Sequence, residues 1–144
     1  MFAHEIFHNW QGANAGLRTD ALPNWMNEGA AQLFAYMLWA KLDGKDNSYL
    51  ALDPEELGYS RRLCTHPLST PTYSSGDPVG CDYSKGMMAM EYFVYRFGIE
   101  GYSRVWTQIE STDLDQEFQR LLGTSFQRFN ADLSEYLSRK GWGS

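Results

Sequence analysis

The sequence predicts an all-α fold, and three observations carry that expectation. Apolar residues recur at three- and four-residue intervals through most of the chain. Glycine, aspartate and serine fall where helices would start and stop. No stretch reads as a strand. The 144 residues suit one domain, residues 1–144. At 43% hydrophobic and 15% aromatic, there is enough apolar material for a packed core.

The elements follow in order. Residues 1–11 form a first helix with Phe2, Ile6 and Trp10 at i, i+4 and i+8, one apolar stripe. Gly12 and Gly16 loosen the chain after it. Pro23 and Asn24 mark the entry to a second helix, residues 25–42. Its Met26, Ala30, Leu33, Phe34, Met37 and Leu38 fit the helical period, and Asp43 and Gly44 end it. Residues 45–82 are the least regular. A short helix is expected at residues 54–63, then a loop rich in Ser, Thr, Pro and Gly from Cys64 to Cys81. A third helix, residues 83–97, contains GMMAMEYFVYRF, apolar on nearly all sides and therefore expected to be buried. Gly98 stops it. A fourth covers residues 100–110, a fifth begins at Asp113 or Asp115 and ends at Gly123, and a sixth, capped by Ser125, reaches Arg139.

Charge and hydropathy narrow the function. The net charge of −6 repels phosphate backbones, so no nucleic-acid partner is expected. No apolar run approaches the roughly 18 residues of a membrane span, and no basic start leads into a signal-peptide pattern. The segment HEIFH begins at residue 4, with only Met1, Phe2 and Ala3 before it. A helix of that kind needs a packed partner, which predicts that the chain is an N-terminally truncated piece of a longer protein.

HEIFH is an H-E-x-x-H motif. Residues four apart share one helix face, one turn apart, so His4 and His8 can hold one metal ion. Imidazole nitrogens suit zinc at about 2.0–2.1 Å. Glu5 is rotated by about 100° from His4; it misses the metal but reaches a water held beside it, the position of a general base. A catalytic zinc takes three protein ligands and leaves one position open. WMNEGAAQLF supplies the third, Glu28, in the first turn of the second helix. Residues 9–27, nineteen of them, lie between His8 and Glu28, enough for one helix to end and another to begin. Ala31 and Ala35, small residues on the Glu28 side, let the two helices approach, and Trp10 and Trp25 are placed to wall the site. A bland alternative exists for each half: H-E-x-x-H arises by chance, and Glu is favoured in any first helical turn by the helix dipole. The combination favours one zinc ion per chain.

HEIFHNWQG followed by NWMNEGAAQLF resembles the gluzincins, the thermolysin-like and aminopeptidase N-like zinc peptidases of the peptidase MA-like group. The aminopeptidase N type shows H-E-x-x-H-x-W-x-G and then W-x-N-E-G, matched by His4, Glu5, His8, Trp10, Gly12, Trp25, Asn27, Glu28 and Gly29. The gap between the two segments is the thermolysin spacing. YSKGMMAMEYFVYRFG resembles a Y-x-K-G helix start whose tyrosine stabilises the oxyanion, which implies that role for Tyr83; a phenol is a neutral donor suited to it. The tail LDQEFQRLLGTSFQRFNADLSEYL resembles the end of such domains, a matter of packing. The resemblance implies the helical zinc-binding subdomain of a zincin-like catalytic domain. The β-sheet lobe that precedes the zinc helix in those families, and the G-x-M-E-N motif of aminopeptidases, are not in this chain; the lobe is an expected partner, and the resemblance does not choose between aminopeptidase and endopeptidase.

Other residues carry less. Asn27 and Gln32 are candidates to hydrogen-bond a metal-bound imidazole, with Gln32 the weaker. Lys85 is expected on the surface without a role, and His66 as a solvated loop residue. Cys64 and Cys81 are the only two cysteines, at the ends of a loop that needs a staple; a disulfide there, about 3 kcal/mol by chain entropy, implies an extracytoplasmic or secreted protein. Met87, Met88 and Met90 are expected in the core, and the acidic residues from Glu110 to Glu117 at a helix start and solvated face. The expected function is a zinc metallopeptidase acting on peptide or protein substrates, with Glu5 and Tyr83 catalytic; the alternative is a catalytically incomplete zinc-containing domain that binds peptides or proteins.

Overall fold

The computed structural model describes residues 2–14, 21–44, 63–68 and 80–142. Among these residues every regular element is a helix: α1 (Phe2–Asn14), α2 (Asn24–Leu42), α3 (Gly80–Gln108), α4 (Leu114–Leu122) and α5 (Phe126–Arg139). The expected helix at residues 54–63 lies outside the described residues, apart from its last residue.

The helix boundaries follow local chemistry. Asp113 caps α4 by accepting from the Gln116 N–H, and Gly123 ends it with φ 74°, a left-handed conformation that glycine adopts without steric cost. Ser125 caps α5 by accepting from the Arg128 N–H. The expected third and fourth helices are the two arms of α3, which bends where Gly98 leaves helical geometry (φ 70°, ψ 176°). The first arm begins at Gly80, earlier than expected. Its first turn is tied down by the Cys64–Cys81 disulfide and by Asp82, which accepts from the Asn24 side-chain amide at 2.8 Å.

Helix α3 is the centre of the fold. Phe93, Met90, Val105 and Trp106 are fully buried on it, and Met87 and Met88 join them. Against one side lie α1 and α2, against the other α4 and α5. Phe93 meets Phe118 and Phe129 edge-on, and Tyr92 stacks on Tyr136. Beyond the bend, the buried Tyr102 hydroxyl donates to the Ala30 carbonyl at 3.0 Å, tying the second arm to α2. Burial pushes the Tyr102 phenol far above its ordinary pKa, so the donor is retained. Arg96 and Asp132 pair across α3 and α5.

Three sequence expectations are corrected. The stripe Phe2, Ile6, Trp10 does not face the core: Phe2 is 82% and Ile6 46% exposed, and Trp10 leans on Phe7. The buried face of α1 is His4, Phe7 and Gln11. Polar groups on that face find partners on α2, and those hydrogen bonds, with Phe7 stacked on Phe34 at 4.9 Å, decide the rotation of the helix. Lys85 is buried, because its amine donates to the His66 carbonyl at 2.6 Å; the exposed His66 serves through its backbone. Glu117 is likewise buried and not part of a solvated face. It accepts from the Glu110 N–H and pairs with Arg120, whose hydrogen bond holds its carboxyl below the usual value.

Helices α2 and α3 approach closely at Gly29 and Gly86. A Cβ on Gly29 would lie 2.2 Å from the Gly86 carbonyl carbon, and one on Gly86 would lie 2.6 Å from the Trp25 carbonyl oxygen. Backbone therefore meets backbone where α2 crosses α3.

Gly86→Ala should lower stability by about 3 kcal/mol, the upper end of overpacking costs, since backbone rather than a flexible side chain blocks the methyl. Gly12, on α1, has nothing within 4 Å of a built Cβ; Gly12→Ala should be neutral or stabilise by up to about 1 kcal/mol. Urea unfolding of both variants checks the contrast. A second prediction concerns Glu91, buried on α3. Burial pushes its carboxyl up to about 7, against the opposing pull of Lys140. A raised folded-state pKa means that no penalty exists below the ordinary value of 4.5 and that stability is lost as pH rises through 7. Glu91→Gln should therefore stabilise the protein by up to ~3 kcal/mol at pH 8 and leave it unchanged near pH 4.

Candidate metal centre

The site is assembled from α1, α2 and the first turn of α3. His4 and His8 stand one turn apart on α1. Glu28 is the fifth residue of α2, just past the first turn where the sequence expectation placed it, and next to the Gly29 contact with α3. Tyr83 lies one turn before Gly86, so the same contact brings Tyr83 toward the Glu28 carboxylate.

The donor atoms converge. His4 Nε2 is 3.2 Å from Glu28 Oε2, His8 Nε2 is 3.3 Å from the same oxygen, and the two Nε2 atoms are 3.0 Å apart. Among the described residues these three are the group of His, Cys, Asp or Glu side chains able to hold a metal ion. Ligands of a tetrahedral zinc at about 2.05 Å would be separated by ~3.3 Å, so the triangle is close to the size zinc requires.

The tautomers support the same conclusion. His4 Nδ1 faces Gln32 Oε1 at 3.2 Å, and His8 Nδ1 faces Gln11 Oε1 at 2.8 Å. An amide oxygen only accepts, so both Nδ1 atoms carry the hydrogen. The Gln11 amide is itself oriented, since its Nε2 donates to the Asn27 carbonyl at 3.4 Å. The two Nε2 atoms and a carboxylate oxygen then face one another, and a divalent metal would satisfy all three donors at once. The donor set, two imidazoles and one carboxylate, suits zinc.

Glu5 and Tyr83 sit beside this cluster. Together with His4 and Gln32 they line one end of a cleft of about 700 Å³. Glu5 is exposed to it. The Tyr83 ring stacks on His4, with centroids 5.3 Å apart. Its phenol is held above the ordinary value, first by burial, then by the charge of Glu28 and a hydrogen bond to it, then by Glu5 and Asp82. It therefore keeps its proton as a donor. Trp10 and Trp25 do not line the cleft; Trp25 is buried in the core.

Gln11 was not legible as part of the site. Its only sequence signal is the i+3 spacing from His8. Gln32, one turn beyond Glu28, takes part through the His4 hydrogen bond. His66 is exposed and pairs with Thr65, and it is not a member of the His4–His8–Glu28 cluster. No protein-family model, curated protein or solved structure matches the chain.

Gln11→Leu and Gln32→Leu should each weaken zinc binding by roughly 10–100-fold, as loss of an imidazole-orienting partner does, while the helical circular-dichroism signal stays intact. Competition with a chromophoric chelator measures the change.

Proposed function

We propose that the chain is a zinc-dependent metallopeptidase, a hydrolase of peptide bonds. The observation that carries this reading is the convergence of His4, His8 and Glu28 beside a cleft that also presents Glu5 and Tyr83. The likeness of HEIFHNWQG and NWMNEGAAQLF to gluzincin segments supports it, with one zinc ion per chain. His4, His8 and Glu28 would hold the ion, and Gln11 and Gln32 would hold the two imidazoles in the ligating tautomer. Zinc bound there would supply Lewis acidity and lower the pKa of a water toward about 7.

The rest of the chemistry belongs to the side chains. Glu5 takes a proton from the attacking water as the water oxygen bonds to the peptide carbonyl carbon. Tyr83 donates a hydrogen bond to the carbonyl oxygen as negative charge develops on it. Glu5 then passes the proton to the leaving amine when the C–N bond breaks. The Cys64–Cys81 disulfide fits an oxidising, extracytoplasmic setting for this activity. No helix among the described residues is long and apolar enough to cross a membrane.

The test is turnover of an unstructured protein such as reduced, alkylated casein, with and without a chelator. Zinc-loaded chain should cleave it, and chelator should abolish cleavage. Glu5→Gln should retain zinc and lose about 10²–10⁴-fold in kcat; Tyr83→Phe should lose about 10²–10³-fold. Full zinc occupancy with no cleavage would instead support a zinc-containing domain that binds peptides or proteins without cutting them.

A further inference from the structure

Tyr83 lies between two contacts that join the start of α3 to α2. After it, Gly86 packs main chain against main chain on Trp25 and Gly29. Before it, Asp82 accepts a hydrogen bond from the Asn24 side-chain amide at 2.8 Å. Two further ties of this turn run elsewhere. Cys81 is bonded to Cys64, and the Lys85 amine donates to the His66 carbonyl. Neither reaches the helix that carries Glu28.

The two contacts with α2 fix different things. Side chains that interlock as ridges in grooves set a crossing angle. A pair of glycines brings two backbones together without interlocking, so their contact alone is a point about which the start of α3 can tilt. A second contact some distance away removes that freedom. Asn24 precedes Gly29 by five residues and Asp82 precedes Gly86 by four, about 7.5 Å and about 6 Å along their helices. The hydrogen bond therefore acts at the far end of a short lever, and Tyr83 is next to it on that lever. Its acceptor is a buried carboxylate, which only accepts, so the Asn24 amide must present its nitrogen. Hydrogen bonds to carboxylates are shorter and stronger than those between neutral groups.

The phenol is the group this geometry serves. Its ring lies over His4 with centroids 5.3 Å apart. A donor to a developing oxyanion works only within a narrow range of distance, and a misplacement of about 1 Å costs on the order of 100-fold. His4, His8 and Glu28 are on α1 and α2, so a tilt of α3 moves Tyr83 and leaves the three ligands together. We propose that the Asn24–Asp82 pair is a positioning device for Tyr83, setting the first turn of α3 against α2 and thereby the reach of the phenol over the metal ligands. Its effect on turnover rests on the peptidase reading; its effect on the place of the ring does not.

Two readouts on zinc-loaded protein test this. The first is the nuclear Overhauser effect between the Tyr83 and His4 rings, with the tyrosine signals assigned by their loss in Tyr83→Phe. Asn24→Ala, at an exposed position, should displace the ring by ~1 Å and weaken the effect at least about threefold. Asn24→Asp, which sets carboxylate against carboxylate, should do the same. The second readout is casein turnover. Asn24→Ala should lower kcat by about 10–100-fold and leave zinc content and KM unchanged. In the Tyr83→Phe background the same substitution should leave kcat unchanged. An undisturbed ring contact in both Asn24 variants overturns the proposal. So does a kcat loss that persists in the Tyr83→Phe background, or loss of zinc on Asn24→Ala, since either would make the pair a general support of the fold. A displaced ring in a protein that cleaves nothing even when unsubstituted upholds the positioning and refutes the peptidase reading. Cleavage with the ring contact and kcat both indifferent to Asn24 does the reverse.

Discussion

Main chain meets main chain where α2 crosses α3 at Gly29 and Gly86, and this contact positions both the core helix and the candidate site. No side chain larger than hydrogen fits at either position without a shift of backbone, so the two helices pack main chain against main chain there. The consequence is functional as well as structural. Glu28 immediately precedes one glycine, and Tyr83 lies a turn before the other. A single packing contact thus presents a carboxylate and a phenol to the same place. The disulfide at Cys81 and the buried Lys85 amine on the His66 carbonyl hold the start of α3 against the loop segment around residue 66, steadying the turn that carries Tyr83.

Helix α1 is docked onto this frame by polar contacts together with a single apolar anchor, Phe7. Its buried face contains only one large hydrophobic residue, Phe7, between His4 and Gln11. Burying such groups is unfavourable unless each finds a partner, and each does so on α2 or on its own helix. The orientation that satisfies them leaves Phe2 and Ile6 in solvent. It also turns two imidazole nitrogens and a carboxylate oxygen toward one point. That is a poor way to stabilise a fold and a good way to hold a cation, the kind of local conflict expected at functional sites.

Much of this was legible in the sequence, for physical reasons that differ by element. The helix ends at Gly98, Asp113, Gly123 and Ser125 were readable because capping and left-handed turns depend on the residue itself and its nearest neighbours. The pairing of His4 with His8 was readable because helical period alone dictates it. The arrival of Glu28 beside them could be anticipated only from the resemblance and from a workable chain length, since it depends on tertiary packing. The Phe2–Ile6–Trp10 stripe misled because periodicity reports which residues share a face and not which face is buried. Lys85 and Glu117 escaped because burial of a charge is decided by a distant partner: a carbonyl in the loop for one, and for the other the chain turn before α4 with Arg120. The Gly29–Gly86 contact left no local mark at all.

Elemental analysis of the purified chain, with X-ray absorption at the zinc edge to count light-atom ligands, reads directly whether His4, His8 and Glu28 form one zinc site. About one zinc per chain is expected, with nitrogen and oxygen neighbours and no sulfur, and loss of the metal from a Glu28→Ala variant that still folds. Zinc absent even after it is supplied to folded protein, zinc bound through sulfur, or zinc fully retained without Glu28 would contradict it.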